Sequence, residues 1–225
     1  MRPVLCLVTD RHRLVAAPSP TDALVECVGA AARAGVDLIQ VREHHLADGA
    51  LTRLVGRCVE SVAGTRARIV VNDRFDVALA AGAHGVHLPA HGVAAARVRR
   101  AVPPGFLIGR SVHHASEAAR VEAAGGIDYL IFGTVFPTDS KRGVTPAGVA
   151  GLADAVRAVR VPVLAIGGVR LEHAAEIAAA GAAGAAAIGM FAVTCTDGID
   201  PLKDLVAQWA RAWPSHSGAT RTSGG

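Results

Sequence analysis

The chain has 225 residues, 51% of them hydrophobic and only 4% aromatic, with a formal net charge of +4 when histidine is neutral. That size and apolar content give one substantial core and favour one domain. The basic residues are spread along the chain, which excludes the concentrated basic stripe of a nucleic-acid binder. No apolar run reaches the ~18 residues of a membrane-spanning helix, and the N-terminus enters a strand without the apolar stretch and cleavage site of a signal peptide. A cytoplasmic location is expected. Cys6, Cys27, Cys58 and Cys195 form no CxxC pair. They read as small core residues in a reducing compartment, not as disulfides or zinc ligands.

Strand-like apolar runs alternate with helical segments from the start. The first run, Val4–Val8, ends at Thr9-Asp10, and a helix over about 21–33 follows, capped by Thr21 or Asp22 and stopped at Gly35. The second strand is Leu38–Arg42, with a helix over roughly 47–63. The third is Arg68–Asn72, with a short helix from Phe75 to Ala81. The fourth is Gly85–Leu88, with a helix near 94–101. The fifth is Phe106–Val112, with a helix over 116–124. The sixth starts at Asp128 and breaks at Gly133, with a helix over 146–159. The seventh is Val161–Ile166, with a helix over 171–180. The eighth is Ala185–Ile188, with a helix from Pro201 to about Trp213. Continuous apolar strands between amphipathic helices indicate a parallel sheet covered on its outer face. Eight such units predict an α/β fold of one kind, a single (β/α)8 TIM barrel over residues 1–213, rather than an open doubly wound sheet. Residues 214–225 read as a polar, glycine-rich, disordered tail.

In such barrels the chemistry lies at the C-terminal ends of the strands. The polar residues there are Gln40, Arg42, Glu43 and His44 after strand 2, Asn72 and Asp73 after strand 3, His87 on strand 4, and Ser111 and His113 on strand 5. The loop after strand 6 carries Thr138, Ser140 and Lys141. Hydroxyls, a lysine and free backbone N–H groups on such a loop suit an oxyanion such as phosphate. Gly167-Gly168 after strand 7 and Gly189 after strand 8 occupy the positions where barrels bind phosphate through backbone N–H groups. Arg42 ends an apolar strand and needs either a ligand or an ion pair with Glu43 or Asp73. His113, at the barrel mouth, balances between a cap and a general acid–base. His87 alternates with apolar neighbours and reads as a core residue, while His91 and His114 read as surface residues.

At these residues the sequence resembles the superfamily of thiamine phosphate synthase and its sister group, the thiazole tautomerases. The matching stretches are Leu7-Val-Thr-Asp10, Gln40-Val-Arg-Glu43, Val71-Asn-Asp-Arg74, Gly85-Val-His-Leu88, Ile108-Gly-Arg-Ser-Val-His113, Asp128-Tyr-Leu-Ile-Phe-Gly133, Pro137-Thr-Asp-Ser-Lys141 and Ala165-Ile-Gly-Gly168. They span nearly the whole chain in order. The synthase joins a pyrimidine diphosphate to a thiazole phosphate with Mg2+, releasing pyrophosphate. The resemblance implies that Gln40, Arg42, Asn72, Ser111 and Lys141 meet the pyrimidine diphosphate. It implies that Thr138, Ser140, Gly168 and the Ile188–Gly189 turn meet the thiazole phosphate, and that Asp73 is a Mg2+ ligand.

Three positions depart from the synthase pattern. His44 stands where the synthase has lysine, Gly92 where it has a second Mg2+ carboxylate, and Gly189 where it has serine. Leu88-Pro89, the stretch ending in His113 and the Asp139-Ser-Lys-Arg-Gly143 loop resemble the tautomerase branch, whose reaction aromatises a thiazole carboxylate phosphate by moving one proton without a metal. The sequence therefore leads to the expectation of an isomerase, a thiazole tautomerase of thiamine biosynthesis. In it His113 would be the acid–base, with a small phosphorylated thiazole as substrate and no cofactor. The alternatives are the transferase, thiamine phosphate synthase with Mg2+ on Asp73, and a non-catalytic phospho-ligand-binding regulatory barrel. A homodimer is compatible with each.

Overall fold

The computed structural model describes residues 2–14, 19–138, 143, 145–191 and 199–213. Eight strands hydrogen-bond in chain order into a closed parallel barrel: β1 Val4–Val8, β2 Leu38–Val41, β3 Arg68–Asn72, β4 Gly85–Leu88, β5 Leu107–Val112, β6 Tyr129–Gly133, β7 Val163–Ile166 and β8 Gly184–Ala187. The last strand returns to the first, placing Leu7 opposite Ala187. Outside lie α1 Pro20–Ala34, α2 Asp48–Ser61, α3 Phe75–Ala80, α4 Ala95–Arg99, α5 Ala115–Ala124, α6 Gly148–Ala158, α7 Ala174–Ala179 and α8 Ile199–Ala212. Single 3-10 turns follow β1 (Arg11–Leu14) and β7 (Leu171–His173). This is the (β/α)8 barrel that the alternation of elements predicts. The tail expected from residue 214 lies outside the described residues.

The period-2 alternation of a strand sends successive side chains to opposite faces. Outward residues such as Leu5, Leu7, Ile39, Val71, Leu130 and Phe132 pack against the helices in one large cluster. Inward residues such as Cys6, Val8, Leu38, Val70, Tyr129 and Leu164 fill the barrel in a second, smaller one. Glycine sets the spacing inside: a Cβ on Gly109 would collide with the Tyr129 ring, so Gly109 is the condition for placing a phenol inside the barrel. At the seam, a Cβ on Gly184 would collide with the Val4 carbonyl.

Two local expectations need correction. Helix α1 is capped by Ser19, whose Oγ accepts from the Asp22 N–H at 3.3 Å, not by Thr21 or Asp22. Pro20 has no N–H to give and a φ suited to the first helical position, which moves the cap one residue before it. Cys6 and Cys58 are free and buried, as expected, and burial pushes each thiol up to about 12, well away from reactive thiolate. Cys27 instead takes part in a disulfide, and Cys195 lies outside the described residues. Among the described residues no helix is long and apolar enough to cross a membrane.

Candidate functional site at the C-terminal mouth of the barrel

The alternation that builds the core also builds the floor of a cavity of about 1050 Å3 at the C-terminal ends of the strands. Each strand contributes one inward side chain there. From β2 to β5 these are Gln40, Asn72, His87 and Ser111; from β6 round to β1 they are Ile131, Ile166, Ala186 and Val8. The floor is therefore polar on one half and apolar on the other.

On the polar half, Gln40 Nε2 donates to Asn72 Oδ1 at 2.8 Å, which fixes both amides and leaves the Gln40 oxygen and the Asn72 nitrogen for a ligand. His87 lies in the core, as the sequence suggests, but it is also wired to the site. Its Nε2 is 2.9 Å from Ser111 Oγ and its Nδ1 3.3 Å from the Tyr129 hydroxyl. Burial pushes the imidazole down to about 3, so it is neutral and acts as a relay that orients the Ser111 hydroxyl.

Above the polar half stand Arg42, His44 and Asp73, all lining the cavity. Arg42 forms neither of the ion pairs expected for it. Glu43 turns the other way, accepting from Thr9 Oγ1 at 2.7 Å and from the Arg11 N–H at 3.2 Å. Thr9 Oγ1 in turn accepts from the Arg42 N–H at 3.0 Å. The network locks the backbone of Arg42, while its guanidinium has no hydrogen-bond or ion-pair partner among the described residues. Desolvation of Glu43 raises its carboxyl pKa, the cost of using it as a brace. His44 reaches the cavity; partial burial, with Arg42 and His45 beside it, lowers its pKa and disfavours the charged form.

Asp73 has φ 63°, a left-handed conformation that few residues other than glycine adopt, and its N–H bonds the His87 carbonyl at 2.9 Å. That strained backbone presents the carboxylate at the cavity, where it forms no hydrogen bond or ion pair with the described residues. Among the described residues no second carboxylate lines the cavity. Gly92 closes a turn onto the Pro89 carbonyl at 2.9 Å, and a Cβ on Gly92 would lie 2.9 Å from Pro89 Cδ. The turn is held from behind by buried Arg110, whose Nη1 donates to Val93 O and whose Nη2 donates to Ala90 O, both at 2.8 Å. No cluster of three metal-ligating side chains exists among the described residues. This donor set fits a small hard cation held by one carboxylate and by ligand phosphate oxygens, and does not fit a dedicated all-protein metal cage.

Above the apolar half, Thr134, Pro137, Thr138, Gly167, Gly168, Ile188 and Gly189 line the cavity. Gly167 and Gly168 both have positive φ, 97° and 63°. A Cβ on Gly168 would collide with the Pro137 carbonyl and lie 2.8 Å from Phe136 Cβ. The glycines thus let the loops after β6 and β7 touch. The Phe136 and His173 rings stack across that junction at 3.8 Å. Ser140 and Lys141 lie outside the described residues. His113 lines the cavity half-buried; its ring Nδ1 bonds the Gly133 carbonyl and its N–H bonds Glu117 Oε2 at 2.8 Å. Arg13 and Arg170 also line the cavity, and the sequence analysis singles out neither.

Fold and mouth together define a class: a single (β/α)8 barrel with a half-polar, half-apolar pocket at the C-terminal ends of its strands. The chain belongs to the thiamine monophosphate synthase family, TMP-TENI, which it matches over residues 5–191. It is 43% identical over 159 residues to the thiamine-phosphate synthase of Methanoculleus marisnigri, covering 70% of this chain and 75% of that one. It is 37% identical over 187 residues to that of Chlorobium luteolum, covering 83% and 84%. Its structure superposes on thiamine phosphate pyrophosphorylase from Pyrococcus furiosus with a TM-score of 0.74 at 29% identity, covering 92% of this chain and 96% of that one.

These relatives overturn the expectation of a tautomerase: they are synthases, and they match most of the chain. That expectation gave weight to three single positions and to the proton-transfer potential of His113. In the fold, His113 ties β5 to β6 through Gly133, and Gly92 fits a proline-bounded turn. Neither feature requires isomerase chemistry.

Proposed function

We propose that the chain is a thiamine phosphate synthase, a transferase that joins hydroxymethylpyrimidine diphosphate to thiazole phosphate and releases pyrophosphate. The observation that carries this reading is the divided pocket. A polar floor lies beneath Arg42 and Asp73, an apolar floor lies beneath the Gly168 and Gly189 turns, and both belong to one cavity of about 1050 Å3. A cavity at the upper end of the usual ligand range accommodates two substrates side by side. A tethered pair of amides suits an aminopyrimidine edge, an apolar wall suits a thiazole ring, and each half has its own group for an anion.

The reaction forms a C–N bond between the thiazole nitrogen and the pyrimidine methylene carbon and breaks the C–O bond to the diphosphate, which leaves with the bonding electrons. Gln40, Asn72 and the His87-oriented Ser111 hold the pyrimidine. Arg42 draws off charge as it accumulates on the leaving diphosphate. Thr138, Gly168, Ile188 and Gly189 anchor the thiazole phosphate and keep its nitrogen aimed across the pocket, which converts an encounter of two molecules into an oriented reaction. Ser140 and Lys141 are assigned to the same two anions by resemblance. His113 has no proton to move in this reaction and is assigned to holding the β5 and β6 ends together. Mg2+, when bound through Asp73 and phosphate oxygens, would neutralise the diphosphate.

The test is direct. Purified protein with both substrates and Mg2+ should form thiamine phosphate and pyrophosphate in equal amounts. Chelation should abolish turnover, and Asp73→Asn should lower kcat/KM by about 100-fold or more, on the scale of losing a key charge stabiliser. Turnover unaffected by chelation would refute the metal assignment; absence of product with folded protein would refute the reading.

A further inference from the structure

We infer that Arg13 is a ligand of the thiazole phosphate and supplies the charge on the β8 side of the pocket. The inference rests on the synthase reading and names a residue which that reading lacks.

Barrel closure puts the loop after β1 beside the loop after β8, because Leu7 pairs with Ala187. The chain leaves β1 in the 3-10 turn Arg11–Leu14, anchored by buried Leu14. From that turn the Arg13 side chain extends over the end of β8. Its Nη1 is 3.5 Å from the position a Cβ on Gly189 would occupy, and it lines the same cavity as Thr138, Gly168 and Ile188. Arg13 is aimed by one bond: its Nε donates to Asp10 Oδ2 at 3.3 Å, and Asp10 Oδ1 accepts from the His12 N–H at 3.2 Å. Neither terminal nitrogen has a partner among the described residues.

The chemistry of the position asks for such a group. The described part of the thiazole half offers threonine hydroxyls and glycine backbone; of its two arginines, Arg13 meets Asp10 through Nε alone at 3.3 Å and keeps both terminal nitrogens for a ligand, while a terminal nitrogen of Arg170 is already beside Glu172, at 3.9 Å. A phosphate monoester carries up to two charges, which neutral N–H groups satisfy only in part. A guanidinium offers two parallel N–H donors matched to two phosphate oxygens. Gly189 has no side-chain donor of its own and leaves an open path for Arg13.

The test compares wild type, Arg13→Gln and Arg13→Gln/Gly189→Ser by calorimetric titration with thiazole phosphate and with its dephosphorylated alcohol, using the full chain. Arg13→Gln should weaken thiazole phosphate binding 10- to 100-fold and leave the alcohol unchanged. The wild-type affinity should fall with added salt more steeply than that of the variant. The added serine should recover part of the loss. Equal losses for phosphate and alcohol, or no loss in a protein with unchanged circular dichroism and melting temperature, would overturn the inference. If wild type binds thiazole phosphate through Arg13 yet makes no thiamine phosphate, the functional reading falls and the binding site stands. If wild type binds neither thiazole phosphate nor inorganic phosphate, both fall.

Discussion

At the scale of single residues, the site is governed by where a Cβ is forbidden. Gly168 has φ 63°, and the Phe136–Pro137 backbone occupies the space of its missing side chain. Gly168→Ala should push apart the loops after β6 and β7. We expect a loss of about 1–3 kcal/mol in unfolding free energy and thiazole phosphate binding weakened at least about tenfold, since one tenfold step needs only ~1.4 kcal/mol. Chemical denaturation and ligand titration would check the two effects separately. Many residues of this site are legible in the sequence because their position in a strand fixes their direction: Gln40, Asn72 and Ser111 each lie at the last or next-to-last position of a strand, in phase with its inward face. Others are not. His87 shares that phase but sits among apolar neighbours, so its link to Ser111 appears only when β4 and β5 are placed side by side. Arg13 is invisible for a stronger reason. It acts on a residue 176 positions away, and nothing in its own surroundings distinguishes it from a solvated arginine. The tautomerase expectation failed at this same scale, by weighing His113 and Gly92 one at a time.

At the scale of elements, short strands are held by partners outside the ladder. The N–H of Ile69 on β3 is bonded by His84 Nδ1 at 3.0 Å, an acceptor role open only to the unprotonated nitrogen. Burial, with Arg68 nearby, lowers the His84 pKa from its ordinary 6.5. A folded-state pKa below the unfolded one means that the unfolded chain takes the proton first. The contribution to stability is therefore complete above pH 6.5 and declines as pH falls below it. His84→Asn places a non-titrating acceptor at the same point. Its urea midpoint should fall less steeply than that of wild type between pH 7 and pH 5, and parallel profiles would count against the assignment. Element identity and order are legible because the apolar runs and the glycine stops repeat eight times. The ends are less so. Pro20 moves a cap, and the turn Leu171–His173 replaces the first part of a helix expected from residue 171.

At the scale of the whole molecule, the barrel closes through its smallest strand, Gly184–Ala187, against β1. A side chain on Gly184 would collide with the Val4 backbone, so Gly184→Ala should lower the unfolding free energy by about 3 kcal/mol, as overpacking against rigid backbone does. Gly56, in the middle of α2 with nothing within 4 Å of its Cβ position, is the control. Gly56→Ala should raise stability by about 0.5–1 kcal/mol through helix propensity. Urea unfolding of both variants checks the pair, and similar effects would show that the seam is not special. Closure itself is implied by eight units in a row, whereas the tightness of the β8–β1 seam depends on a contact between residues 180 positions apart. That seam has a consequence for the chain as it is made. On the ribosome β1 emerges early and can pair with β2, yet its other edge has no neighbour until β8 has been synthesised. Throughout that interval an apolar strand edge is exposed, which is the condition under which nascent chains pair wrongly and chaperones bind. Arg13 and Gly189 lie on the two walls that this seam joins, so the pocket cannot be complete before β8 has been made.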